Sequence, residues 1–64
     1  MPTAHYTALN TMTIKEVIRL FHPEQYYIVI VVDENLAVQG QITETELWEA
    51  MTARGIYVTL YDIL

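Results

Sequence analysis

The chain has 64 residues, 53% of them apolar, with one Trp, five Tyr, no cysteine and a formal net charge of −5. This length holds one domain at most, and without cysteine neither a disulfide framework nor a thiolate metal site can stabilise it. Its only cations, Lys15, Arg19 and Arg54, are too few and too dispersed for the phosphate-neutralising footprint of a nucleic-acid binder or for an anionic membrane surface.

The first expected element is a short strand at His5 to Leu9, suited to a sheet edge, after a loose start at Pro2 and Thr3. Thr13 then opens a helix, with Glu16 completing a capping box. Ile14, Val17, Ile18 and Phe21 form one apolar stripe at i, i+3, i+4 and i+7, with Lys15, Glu16 and Arg19 on the other face. Pro23 ends this helix at His22 or earlier, and Glu24 and Gln25 lead on. Tyr26 to Val32 is an unbroken apolar run, β-branched at every position from Ile28 to Val32, as expected of a strand buried on both faces.

Asp33, Glu34 and Asn35 are turn formers. Leu36, Val38, Gly40 and Ile42 then alternate with Ala37, Gln39 and Gln41, the period of a strand. Thr43, with Glu46 three residues on, caps a second helix from Glu44 to about Ala53. Leu47, Ala50 and Met51 form its apolar stripe, and Trp48 widens it. Gly55 stands where a left-handed C-terminal cap is expected, and Arg54 suits the negative helix end. Ile56, Val58 and Leu60 alternate with Tyr57, Thr59 and Tyr61, which predicts a further strand or a strand running into a last turn at Asp62 to Leu64. The whole is an α+β domain over 1–64, with its core in 4–60.

A chain this short buries only about 60% of the surface that its unfolded form exposes. Its apolar content exceeds what a monomer of this size hides, so self-association is expected. The longest apolar run falls far below the roughly 20 residues that span a bilayer. No charged n-region precedes an apolar h-region, so no signal peptide is expected. The start at Met1 favours a natural beginning there, and the default is a cytoplasmic protein.

Thr43 and Glu46, like Thr13 and Glu16, have a full structural explanation as capping boxes, each worth about 1 kcal/mol. His5 and His22 lack further ligands at spacings that would let zinc gather three or four donors, so no metal site is expected. Asp33, Glu34, Glu44, Glu46 and Glu49 form an acidic region without two carboxylates in contrasting environments. With no nucleophile–base set, no glycine-rich phosphate loop and little scaffold to preorganise a site, the chain is not expected to be an enzyme. Trp48 and Met51 are candidate homodimer-interface residues, as aromatics and Met are enriched there. Tyr57 and Tyr61 suit a second surface for a different, regulated protein partner.

The run TMTIKEVIRLF, IVIVVDEN and AVQGQITETELWEAM is similar to a cystathionine-β-synthase (CBS) domain over roughly residues 4–54. The features that carry the likeness are the Thr13-capped helix, the strand end Val31 to Glu34, and Gly40-x-x-Thr43-x-x-Glu46-Leu47. The resemblance implies a β-α-β-β-α order, with a three-stranded sheet and two helices on one face. Such domains pair side by side through sheets and helices, so a single copy implies a homodimer. The resemblance also implies an adenosine-type ligand between the two copies: adenosine, AMP, ATP or S-adenosylmethionine. Its base would lie along Tyr6, Thr7, Ala8 and Leu9, with Thr43 near the phosphate and Glu46 at the ribose hydroxyls. A helix N-terminus suits a phosphate, and a carboxylate can bridge a diol.

Two positions depart from the family pattern. Glu46 stands in place of Asp, one methylene longer, and Glu44 stands where Arg is frequent. A carboxylate there opposes anion binding and favours a phosphate-poor ligand. The alternative expectation is a ligand-free interaction domain presenting an acidic surface to a basic partner. A weaker alternative is a winged helix–turn–helix at Ile42 to Leu64, whose second helix, Thr59 to Leu64, would be short and without a cation for phosphate or guanine.

Overall fold

The computed structural model describes residues 4–21 and 27–64. The elements run β1 (Ala4–Leu9), α1 (Ile14–Phe21), β2 (Tyr27–Val32), β3 (Val38–Thr43), α2 (Glu44–Arg54) and α3 (Leu60–Ile63). The three strands form one mixed sheet in the order β1-β2-β3, an α+β fold. β1 is parallel to β2, and β2 is antiparallel to β3.

One face of the sheet carries the core. Ala8, Tyr27, Val29, Val31 and Ile42 meet Ile14 and Val17 of α1, Leu47 of α2 and Leu60 of α3 in a single buried cluster. Both longer helices therefore lie on the same side. The stripe expected on the first helix is realised, with Ile18 and Phe21 partly buried beside Ile14 and Val17. Tyr6 stacks on Phe21 at 4.5 Å and meets Tyr27 edge-on at 6.2 Å, closing one end of the core.

Among the described residues, no helix packs on the other face. β2 is buried at Tyr27, Val29, Val31 and, at its end, Val32, but only half-buried at Ile28 and Ile30. The apolar run expected to be buried on both faces is thus fully covered on one, because all the helices pack on that side. Tyr26, Pro23, Glu24, Gln25 and His22, like Pro2 and Thr3, lie outside the described residues.

Two further expectations are corrected. Leu36 is not in a strand: it takes φ +65° and is 73% exposed. The Asp33 carboxylate accepts from the backbone N–H groups of Asn35 and Ala37 at 2.8 and 2.9 Å. That Asx-type turn delays β3 to Val38, and the register then shifts opposite Val31 and Val32.

Ile56 to Tyr61 is not a strand either. Only Thr59 bridges, to Thr13. The carbonyls of Val58 and Ile56 accept from Ile14 and Lys15 N–H at 3.0 and 2.9 Å. They satisfy the first orphan donors of α1 in place of a sheet ladder. Thr59 and Asp62 then form a third capping box and start α3. Leu60 and Tyr61 N–H close the junction by donating to Met12 and Asn10 C=O at 2.9 and 3.0 Å.

Tyr27 is buried at the entry to β2, and burial, followed by the nearby Glu44 carboxylate, raises its phenol pKa. The unfolded phenol ionises at about 10. The native state holds this proton more tightly, so the associated stability is complete below that pH and is lost as pH rises through the higher folded value. The urea midpoint should therefore fall above about pH 10, and Tyr27→Phe should flatten that fall. An equally steep alkaline decline in the Phe variant would remove Tyr27 as its cause.

Candidate functional site

The expected ligand residues fall into two groups on opposite edges of the sheet. Thr43 ends β3, opposite Ile28, while Tyr6 to Leu9 lie on β1, with β2 between. Two strand spacings separate these edges by about 10 Å. Leu9 pairs with Val32, four residues along from the level of Thr43, or about 13 Å further. The β1 residues do not form one lining. Tyr6 and Ala8 turn to the core, and Thr7 and Leu9 are exposed.

Thr43 and Glu46 do come together, as a helix cap. Thr43 Oγ1 accepts from Glu46 N–H at 3.1 Å, and Glu46 Oε1 accepts from Thr43 N–H at 3.3 Å and from its hydroxyl at 3.0 Å. Thr13 and Glu16 repeat this geometry on α1. In each box the threonine's β-region backbone and the three-residue spacing aim the two side chains at each other's N–H groups.

Glu46 also borders a groove of about 470 Å³ between α2 and the C-terminal segment, lined by Ile42, Glu49, Ala50, Ala53, Arg54, Asp62, Ile63 and Leu64 as well. Three carboxylates, Glu46, Glu49 and Asp62, face one guanidinium there. Arg54 Nη1 donates to the Asp62 carbonyl at 2.7 Å, tying the end of α2 to α3. This balance favours a neutral or cationic ligand over a phosphate. Glu49, Arg54 and Asp62 were not among the expected site residues. The Thr59-x-x-Asp62 spacing was the signal for the cap that brings Asp62 round.

A second recess, of about 280 Å³, lies at the opposite end of the sheet among Leu9, Asn10, Thr11, Asp33 and Glu34. Asp33 is committed there to the turn. Of the expected interface pair, Trp48 stands 41% exposed on the outer stripe of α2, beside Thr45 and Thr52. Met51 instead turns in against the core. Tyr57 and Tyr61 are exposed, and the Lys15 ammonium lies over the Tyr57 ring at 5.4 Å. Among the described residues no three His, Cys, Asp or Glu side chains converge as a metal site, and no helix is long and apolar enough to cross a membrane. Comparison with protein-family models, with curated proteins and with solved structures finds no match to this chain.

Proposed function

We propose that this chain is a CBS-like, non-enzymatic interaction module that acts as a homodimer. The observation that carries this reading is the placement of charge. The three strands contain no Asp, Glu, Lys or Arg, although the chain as a whole has a net charge of −5. Two copies of an acidic chain repel wherever their charged surfaces meet, and the sheet is where a second copy can approach without that repulsion. The carboxylates of Glu46 and Asp62 are engaged in caps, which supports a structural role for them over acid–base chemistry.

A second reading is a regulatory module that takes an adenosine-type ligand. Its support is Glu46, which lies both in the cap and on the rim of the acidic groove. It requires a second copy to bring its Tyr6 to Leu9 toward Thr43 and Glu46. Thermal unfolding with adenosine, AMP, ATP and S-adenosylmethionine at fixed protein concentration separates the readings. A ligand that binds only the native state adds about 2.7 kcal/mol at 100 dissociation constants. The interaction reading expects a flat panel, with Thr43→Ala lowering stability by about 1 kcal/mol through the cap alone. A rise with S-adenosylmethionine or adenosine, abolished by Thr43→Ala and Glu46→Ala, would replace it with the regulatory reading.

A further inference from the structure

β1 is an edge strand, and its hydrogen-bond parity is set by its last link. Asn10 N–H donates to Val32 C=O at 2.8 Å. In a parallel ladder, alternate residues face the partner strand, so Ala4, Tyr6 and Ala8 turn their backbone groups to β2. His5, Thr7 and Leu9 turn theirs outward. Of these outward groups only the Leu9 carbonyl has a partner among the described residues, the N–H of Met12.

Edge strands are ordinarily guarded by charge, proline, a bulge or brevity. β1 is six residues long, AHYTAL, and contains no charged residue and no proline; its register with β2 runs without a shift. β3, the other edge, carries the register shift.

Resting on the homodimer reading above, we propose that the free edge of β1 is a self-pairing surface. β1 of one copy adds antiparallel to β1 of a second copy about a two-fold axis at Thr7, joining the two sheets into one of six strands. This register pairs Thr7 with Thr7 and His5 with Leu9, the residues whose backbone groups face outward. It sets Tyr6 opposite Ala8, large against small, on the core side. It brings no like charges together, as the strand has none. A partner recruited by charge would instead meet the acidic helix and turn surfaces. An edge this short buries less than the roughly 1,200–2,000 Å² of a standard interface, so the dimer exchanges and depends on concentration.

The test is sedimentation equilibrium of the whole chain from micromolar to millimolar concentration, with far-ultraviolet circular dichroism to follow folding. The wild-type chain should approach twice its 7.4 kDa subunit mass. Thr7→Pro removes an N–H that faces outward, so the β1–β2 ladder survives while self-pairing is blocked. Thr7→Lys sets two ammonium groups opposite each other. Each should raise the dimer dissociation constant by about tenfold or more.

Thr7→Cys supplies the only thiol of the chain, at a pair with Cα atoms about 5.5 Å apart, within disulfide range. Mild oxidation should give a covalent dimer that reducing agent reverses, whereas Thr45→Cys, on the exposed face of α2, should not. A wild-type chain that stays at 7.4 kDa throughout overturns both this inference and the homodimer reading. A dimer that Thr7→Pro and Thr7→Lys leave intact, and that Thr7→Cys does not cross-link, overturns the β1 edge while leaving the homodimer reading on another surface.

Discussion

Leu60→Ala is expected to destabilise the domain by about 3 kcal/mol. Leu60 is fully buried, in one cluster with Val29, Val31, Ile14 and Leu47. It is the residue through which the segment after Gly55 enters the core. A domain of this size has about 3–10 kcal/mol of stability in total, so this one change should remove a large share of it, or all.

The loss has two parts. One is the transfer term and the cavity left in the cluster. The other is the loosening of a segment whose carbonyls satisfy the first N–H groups of α1. Urea unfolding followed by circular dichroism measures it. A loss below about 1 kcal/mol, the range of an exposed substitution, would mean that the C-terminal segment is an ornament and not part of the core. Tyr61→Ala provides the comparison on the same short helix, since Tyr61 is exposed and its replacement should change stability by only about 0.5 kcal/mol.

Gly55→Ala should cost about 2 kcal/mol for a different reason. Gly55 has φ +90° and ψ 179°, a region that is essentially glycine-only, with strain of about 1–3 kcal/mol for other residues. A Cβ at this position would meet nothing within 4 Å, so crowding plays no part in the loss. The conformation is held from both sides. Gly55 N–H donates to Met51 C=O at 2.9 Å, and the next residue, Ile56, gives its carbonyl to Lys15.

Gly40 is the converse case. A Cβ there would lie 2.9 Å from Leu64 Cδ2, but Leu64 is half-exposed and its side chain can turn away. Gly40→Ala should stay within about 1 kcal/mol. Urea midpoints of the two variants, measured side by side, check the pair. A Gly55→Ala loss no larger than that of Gly40→Ala would show that backbone conformation does not set the demand at Gly55.

Local signals in this chain were strong where one principle acted alone. The Thr-x-x-Glu pairs marked the starts of α1 and α2, and both boxes form, because a cap needs only residues three apart. The stripe from Ile14 to Phe21 and the β-branched run from Ile28 to Val32 each admitted one secondary structure. Between Ile56 and Tyr61 two local signals competed. The alternation of Ile56, Val58 and Leu60 favoured a strand, while Thr59-x-x-Asp62 favoured a helix start. The alternation predicted the wrong element there, because the backbone of that segment had a better use elsewhere. The unpaired N–H groups of α1 took its carbonyls, a demand set by residues some forty positions earlier. Leu36 was misplaced for a related reason: hydrophobic period two continued through a turn that the Asp33 side chain had already closed.

The candidate site divides along the same line. Thr43 and Glu46 were legible as a pair because they are neighbours on one helix start. Their separation from Tyr6 to Leu9 was not, since strand order decides it: with β2 in the middle, β1 and β3 are opposite edges. Glu49, Arg54 and Asp62 could not be assigned to a common groove until α3 was seen to fold back beside α2.

The sequence by itself determined the order of β1, α1, β2, β3 and α2, their caps and their buried stripes, because those follow from spacing within about ten residues. The tertiary structure alone decided that β2 lies between β1 and β3, that α3 folds back beside α2, and that the last nine residues close the core. Each of these depends on where distant backbone donors and acceptors find partners, and no local pattern records that.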